Sequence, residues 1–375
     1  MTPPAAGQER ALLVFAHRKA GKGPAAVLHV SEVMDELREL VRSAGARVVG
    51  SRVQTVQAEN PATIVGKGTL GRLKEEVAAL EADLVVFQNL LRPKQQALLE
   101  KELEVKTLDR REIILDIFAQ RARTKEGKLQ VELAQLSFRL GRLAGGRTEL
   151  SRPGGGIGTR GPGEKKLEED RRRIRAQIRQ IEKELSTVRR TRSLHYLRRR
   201  EVGYPVVALV GYTNAGKSTL FNRLTGADVF VADRMFATLD PTARRFRLPG
   251  GKDAILVDTV GFIHDLPEEL RQAFLATLEG IGEADLLLHV ADGSADAMDG
   301  NIASVDAILS ELSFRDKPTV LVANKRDLCP HGTRAPQGAV RVSAKTGDGI
   351  HGLLSVVEGE LWRRHPEKTG STRPA

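Results

Sequence analysis

The segment that most restricts the fold of this chain is a phosphate-binding loop pattern, G-x-x-x-x-G-K-S. It lies between the apolar run Pro205–Val210, which predicts a buried strand, and the helix-like segment Thr219–Leu224. A strand that leads through a Gly-rich turn into a helix directs backbone N–H groups and the positive helix end at phosphates. The pattern predicts that the following residues contact the nucleotide: Gly211, Tyr212, Thr213, Asn214, Ala215, Gly216, Lys217, Ser218 and Thr219. The octapeptide alone would also suit an ordinary Gly-rich strand-to-helix loop, so the decision rests on further motifs.

The second motif indicates a magnesium site beside the phosphates. The apolar run Ala254–Val257 ends in Asp258-Thr259-Val260-Gly261, which places a carboxylate at a strand tip. Asp258 is expected to hold Mg²⁺ through water and Ser218 to bind it directly, while Gly261 N–H and Lys217 contact the γ-phosphate. In the switch segment 236–241, Phe-Ala-Thr-Leu-Asp-Pro, the Thr238 hydroxyl completes the Mg²⁺ shell only when the γ-phosphate is present, with Thr242 as second candidate. The predicted catalytic groups are therefore Lys217, Thr238 and Gly261.

Two further strand ends identify the base. The apolar run Pro318–Ala323 leads into Asn324-Lys325-Arg326-Asp327, and Val340–Val342 leads into Ser343-Ala344-Lys345. An Asp carboxylate accepts hydrogen bonds from guanine N1–H and N2–H₂, a donor pair that adenine lacks. The 343–345 backbone can donate to guanine O6, and the apolar part of Lys325 can cover the ring. This fixed order of strand-end motifs predicts binding of GTP and GDP.

Two positions bear on the rate of hydrolysis. Many GTPases have a water-orienting Gln after the Asp-x-x-Gly glycine, but this chain has Phe262. We therefore expect slow hydrolysis unless a partner or another residue completes the site. Asn214 either helps to bind K⁺ near the phosphates or simply tolerates the backbone geometry of the turn, and the sequence leaves both interpretations open.

Composition favours a cytoplasmic protein with more than one domain. The 375 residues are 41% hydrophobic, enough for two or three cores, and we expect a monomer. Cys329 is the only cysteine, so no internal disulfide can form, and a packed thiol is its simplest role. The first thirty residues contain no signal-like apolar stretch, and no run approaches the ~20 apolar residues of a membrane span.

The middle of the chain predicts a basic helical hairpin. Residues 164–201 contain 14 Lys/Arg against 7 Asp/Glu, which makes nucleic-acid phosphates the expected counter-charge, although a solvated charged helix is the alternative. Coiled-coil spacing occurs twice, at Leu129, Leu133, Leu136, Leu140 and Leu143 and at Ile174, Ile178, Ile181, Leu185 and Val188. These stripes predict an antiparallel pair with a mobile Gly-rich loop at 144–163; alternatively, both helices pack onto the neighbouring domains.

The N-terminal part alternates strands and helices, which predicts a small, largely parallel sheet. The expected strands are Leu12–Ala16, Arg47–Val56, Leu84–Gln88 and Val105–Leu108. The expected helices are Ser31–Arg42, Lys67–Leu80 and Lys94–Leu103, and Ser31 is expected to cap the first of them. Gly66-Lys67-Gly68 reads as a helix start rather than an anion site. The fold class is thus α/β, with an N-terminal domain at 1–112, a helical hairpin at 113–200, a P-loop GTPase domain at 201–365 and a disordered tail at 366–375.

With these segments placed, the chain resembles the HflX family of ribosome-associated GTPases over nearly its whole length. Besides the switch, the resemblance rests on the segments 65–68 (Val-Gly-Lys-Gly), 116–122 (Asp-Ile-Phe-Ala-Gln-Arg-Ala), 127–136 and 155–164. Where many relatives have Thr-Lys after the glutamate of this loop, the chain has Lys165-Lys166. The resemblance implies binding to the large ribosomal subunit and its rRNA, stimulated GTP hydrolysis, splitting of stalled ribosomes, and a link between the N-terminal domain and ATP. A passive RNA-binding scaffold or assembly factor with a regulatory GTP site is the alternative, and an RNA-modifying GTPase ranks last.

Overall fold

A computed structural model describes residues 8–18, 24–145, 162–201, 204–227, 235–236, 242–263, 281–329 and 335–364. The chain forms two compact units, 1–120 with 131–183, and 121–130 with 184–375. The switch threonine Thr238, most of the Gly-rich loop and the tail at 366–375 lie outside the described residues, so the predictions for them stay predictions. No helix in the described part of the chain is long and apolar enough to cross a membrane.

The first unit contains the four-stranded parallel sheet that the sequence predicts, in the order β2-β1-β3-β4. Its strands are β1 (Arg10–Arg18), β2 (Arg47–Val56), β3 (Leu84–Phe87) and β4 (Lys106–Asp109), and its helices are α1 (Pro24–Ser43), α2 (Lys67–Ala79), α3 (Pro93–Leu103) and α4 (Arg110–Arg121). All four residues of β3 are buried, because this central strand has neighbours on both edges and apolar side chains pack over it.

The structure gives the starts of two helices of this unit that the sequence predicts, one at Ser31 and one at Gly66. The prediction that Ser31 caps the first helix is wrong: α1 begins at Pro24, and Ser31 is an exposed residue within it. A serine ahead of an apolar periodic segment is typical of an N-cap, but here the helix already continues through Ser31 from Pro24. Gly66 is the N-terminal flanking residue of α2, which confirms that Gly66-Lys67-Gly68 is a helix start.

Two long helices, α5 (Lys125–Gly145) and α6 (Pro162–Glu201), flank the Gly-rich loop. On α6 the predicted stripe is real, since Ile181 and Leu185 are buried and the residues beside them are mostly exposed. On α5 the predicted leucines lie on a covered face: Leu136 is buried, together with Val131 and Ala134, and the other four leucines are partly buried. The Phe138 ring lies under the guanidinium groups of Arg111 and Arg142, 5.2 and 5.1 Å from its centroid. α5 thus packs on its own unit as an amphipathic helix over this stretch, and the hairpin stays a prediction.

The second unit is built on a six-stranded sheet in the order β10-β9-β8-β5-β7-β6, in which only the β6–β7 pairing is antiparallel. The strands are β5 (Val206–Val210), β6 (Thr242–Arg247), β7 (Asp253–Asp258), β8 (Leu286–Asp292), β9 (Thr319–Asn324) and β10 (Val340–Arg341). The described helices are α7 (Lys217–Thr225), α8 (Met298–Glu311) and α9 (Ile350–Arg364). Every residue of β5 is buried, so the loop that follows it is held at the centre of the carboxyl edge of the sheet.

Candidate nucleotide-binding site

The P-loop backbone adopts a conformation that its glycines permit. Gly211 passes so close to β8 that a Cβ there would lie 2.1 Å from the Val290 carbonyl oxygen. Gly216, directly before α7, has a φ of +88°, and a Cβ there would lie 2.3 Å from the Asn324 side-chain nitrogen. Asn214 has a φ of 60°, a left-handed value that asparagine tolerates better than most residues. The turn geometry by itself therefore explains Asn214, and a K⁺ role stays a prediction.

Lys217 is buried in the first turn of α7 and folds back over the loop. Its ammonium donates hydrogen bonds to the carbonyl oxygens of Gly211 and Tyr212, at 3.1 and 2.8 Å. Burial lowers the pKa of Lys217 to about 8, although the nearby Asp258 carboxylate opposes the shift. The Thr213 hydroxyl next to it is buried without a hydrogen-bond partner among the described residues. A buried cation with only carbonyl partners and an unsatisfied hydroxyl fit a bound phosphate, which would complete the partners of both.

Two of the three residues proposed for magnesium, Ser218 and Asp258, lie together at the start of α7 and the end of β7, and the third, Thr238, lies outside the described residues. The Ser218 hydroxyl donates to Asp258 Oδ2 at 2.8 Å, and Asp258 is fully buried. Thr242 is opposite Asp258 in the β6–β7 register, so the second switch candidate also comes near this carboxylate. In the described part of the chain, no cluster of three or more His, Cys, Asp or Glu could hold a metal by itself. A hydroxyl and a carboxylate are the hard oxygen donors that Mg²⁺ takes when phosphates supply other ligands.

The segment after Asp258 is joined to the P-loop. Thr213 N–H donates to the Phe262 carbonyl at 2.7 Å, and Phe262 N–H donates to the Gly211 carbonyl at 3.1 Å. A Cβ at Gly261 would lie 2.9 Å from both Lys217 Nζ and Thr213 Cα, so only glycine fits there. The Phe262 side chain is only 5% exposed and belongs to an apolar cluster with Val210 and Leu287. Its ring therefore fills the core and cannot orient a water molecule at the phosphates.

The predicted base-recognition residues lie in two loops, after β9 and after β10, that are hydrogen-bonded to each other. Asn324 donates from its side-chain nitrogen to Ala215 O at 2.9 Å and accepts from Ala344 N–H at 3.0 Å. Asn324 thus ties the P-loop to the 343–345 loop through both ends of its amide. Asp327 remains exposed and accepts from the Ser343 hydroxyl at 2.6 Å, which orients its carboxylate. The structure brings together every predicted contact within 211–219, 258–261, 324–327 and 343–345 along one sheet edge.

Two residues of this site are missing from the sequence analysis. The Lys325 ammonium lies 2.7 Å from Asp292 Oδ2, and Asp292 also accepts from the backbone and hydroxyl of Ser294. Arg223, from α7, donates to the carbonyls of Ala344 and Lys345. Asp292 had a detectable signal, because it ends the apolar run of β8 as Asp258 ends β7. Arg223 had none, because its partners are more than a hundred residues away in sequence.

Comparisons with known proteins agree with this geometry. Three families match successive parts of the chain: "GTP-binding GTPase N-terminal" at 31–119, "GTP-binding GTPase Middle Region" at 121–199 and "50S ribosome-binding GTPase" at 206–325. The chain is 51% identical to the GTPase HflX of Caldanaerobacter subterraneus subsp. tengcongensis, covering 88% of this chain and 78% of that protein. It is 45% identical to the GTPase HflX of Escherichia coli (strain K12), covering 88% and 79%.

Among solved structures, the chain is similar to a structure described as the "SsGBP and GDP complex". The TM-score is 0.51 at 22% identity, covering 95% of this chain and 99% of that one. At this identity the likeness supports the fold, an α/β chain with a P-loop GTPase domain and a separate N-terminal domain.

Proposed function

The chain belongs to the HflX family of GTPases, and from this premise we propose that it binds the large ribosomal subunit in its GTP form and separates stalled ribosomes into subunits. Hydrolysis of GTP to GDP and phosphate then releases it. The observation that carries the proposal is the burial of Phe262 at the position of the missing Gln. A GTPase without its own water-orienting group depends on a partner to complete the hydrolytic centre, which suits a cycle that ends only on the ribosome.

The residues of the site divide the chemistry among them. Lys217 and the N–H groups of the P-loop bind the phosphates, and Gly261 offers its N–H to the γ-phosphate. Ser218, Asp258 and Thr238 would hold Mg²⁺, which supplies neutralisation of charge on the β- and γ-phosphate oxygens. Asp327 reads guanine N1–H and N2–H₂. The residue after Gly261, Phe262, is hydrogen-bonded to the P-loop. Loss of the γ-phosphate from Gly261 would therefore act directly on the chain segment that follows Gly261.

The basic face of α6 is the proposed rRNA contact. Arg172, Arg173, Arg175 and Arg179 are exposed. Arg171 differs, because it donates to the Leu143 carbonyl at 3.0 Å and its side chain is only 13% exposed. We therefore assign phosphate binding to the other four and a structural role to Arg171. The side chains of Arg198, Arg199 and Arg200 lie outside the described part.

Sedimentation tests the splitting function. Purified protein with GTP should convert whole ribosomes into subunits on a sucrose gradient, and protein with GDP should not. Arg172→Glu/Arg173→Glu should lose both binding and splitting while keeping its intrinsic GTPase rate. A matched control with the same charge change is Lys94→Glu/Lys101→Glu, on exposed positions of α3, which should behave as wild type. Co-sedimentation with the large subunit while ribosomes stay whole would instead favour the scaffold or assembly factor.

Three further features belong to the proposal: ATP binding at the N-terminal domain, a cytoplasmic location and a monomeric state. The resemblance implies ATP at the N-terminal domain, and composition favours a cytoplasmic monomer. Nucleotide titration of the whole chain, with ATP competing against GDP, would separate a second site from the P-loop site.

A further inference from the structure

We infer that Arg223 is a positioning residue that makes the site selective for the 6-oxo group of guanine. This inference rests on the base site assigned under the proposed function. Arg223 is not in any nucleotide-binding motif. It lies in the last turn of α7, the helix that begins at the P-loop, and its guanidinium reaches the loop that follows β10.

The contacts of Arg223 are with backbone carbonyls. Its Nε donates to the Ala344 carbonyl at 3.0 Å, and its Nη2 donates to the Lys345 carbonyl. A planar guanidinium presents its Nε and Nη2 donors side by side in a fixed geometry, whereas the donors of a lysine ammonium rotate about a single nitrogen. The two successive peptide planes after Ala344 are therefore both restrained from α7.

One N–H group of this loop is left for the base. Ala344 N–H donates to Asn324 Oδ1 at 3.0 Å, Thr346 N–H to the Ser343 hydroxyl at 3.1 Å and Gly347 N–H to the Ser343 carbonyl at 2.8 Å. The remaining donor is Lys345 N–H, for which no acceptor is found among the residues that the structure describes. It is thus the donor in this loop that can meet guanine O6.

Arg223 acts on that donor through the peptide bond. Lys345 N–H and the Ala344 carbonyl belong to the same trans peptide, so they point in opposite directions. By holding the carbonyl, Arg223 fixes the direction of the N–H. A charged donor on the carbonyl also polarises the amide, which strengthens its N–H as a hydrogen-bond donor. Arg223 therefore supports recognition of O6, whereas Asp327 recognises N1–H and N2–H₂.

Three nucleotides separate these contributions. GDP has all the recognised groups, inosine diphosphate lacks only the 2-amino group, and 2-aminopurine riboside diphosphate lacks O6 and the N1 proton. In Arg223→Ala, the affinity for GDP and for inosine diphosphate should fall by about tenfold. This is the effect expected when the hydrogen bond from Lys345 N–H to O6 is no longer well oriented. The affinity for the 2-aminopurine nucleotide should change by less than about twofold.

Two controls keep the outcome interpretable. Arg363→Ala removes an exposed arginine of α9 that pairs with Glu360 at 2.8 Å, outside the nucleotide site, and it should leave the selectivity for O6 unchanged. Arg223→Lys keeps the charge but replaces two donors of fixed geometry by a single rotating ammonium, so its loss of affinity should be intermediate. This variant also serves if Arg223→Ala does not fold. An equal fall for all three nucleotides in Arg223→Ala would overturn the inference and leave only a structural role. A wild-type protein that does not distinguish GDP from inosine diphosphate would overturn the base-site assignment itself.

Discussion

Nucleotide binding should be coupled to proton uptake by Lys217. Burial lowers the pKa of this ammonium to about 8. The phosphates of GDP, placed against it, should raise the pKa well above that value, because opposite charge favours the protonated form. Lys217 should therefore be neutral in part of the free protein above this pH and charged in the complex.

The size of the effect follows from the pKa of Lys217. With a free-state pKa of about 8, about 0.8 of the molecules carry a neutral Lys217 at about pH 8.5, but only about 0.1 do so at about pH 7. Binding of GDP should then take up about 0.8 proton at the higher pH and about 0.1 at the lower. The affinity for GDP should weaken as the pH rises above about 8, because the phosphates bind the protonated form of Lys217.

Isothermal titration calorimetry in pairs of buffers with different ionisation enthalpies measures this proton uptake. Lys317→Met is a matched control, because burial also lowers the pKa of Lys317, which donates to the Ala284 carbonyl, away from the P-loop. That variant should take up as many protons as wild type. Zero uptake at both pH values would refute the reasoning, since it would mean that Lys217 is fully charged before the phosphates arrive.

Three further outcomes are expected, and a fourth measurement decides between the two interpretations of Asn214. Asp327→Asn should lower the affinity for GTP by ~2–4 kcal/mol and shift preference toward xanthine nucleotides in a competition assay. Unchanged GTP affinity in this variant would mean that Asp327 does not face the base. Asp292→Ala should release Lys325 and weaken guanine and 2-aminopurine nucleotides alike, by about fivefold, because the lysine stem covers the ring face. Phe262→Gln should lower the free energy of unfolding by about 3 kcal/mol without raising the intrinsic GTPase rate; a faster rate would mean that the side chain faces the phosphates. Equal ribosome-stimulated rates in matched KCl and NaCl would exclude a K⁺ role for Asn214.

Local patterns along the chain suffice to predict the fold class and the order of the nucleotide-binding motifs. Each motif is a short contiguous segment whose backbone demands are local, and each follows an apolar run that could only be a buried strand. The parallel sheet of the N-terminal unit was predictable for the same reason, because alternating strands and helices leave few other topologies. The start of α1 was missed because a serine ahead of an apolar periodic segment is typical of an N-cap, whereas this helix already begins at Pro24. The spacing of the α5 leucines does not by itself reveal which neighbouring element covers them.

How the motifs are held and oriented depends on contacts between segments that are distant along the chain. Asn324 turned out to brace two loops with both ends of its amide, and the ring of Phe262 turned into the core rather than toward the phosphates. Asp292 and Arg223 joined the site through partners that are distant in sequence. Spacing along the chain predicts which side chains share a face of one element. It carries no information about pairs that meet only after separate strands and helices have packed, and those pairs set the charge, direction and burial of each group in this site.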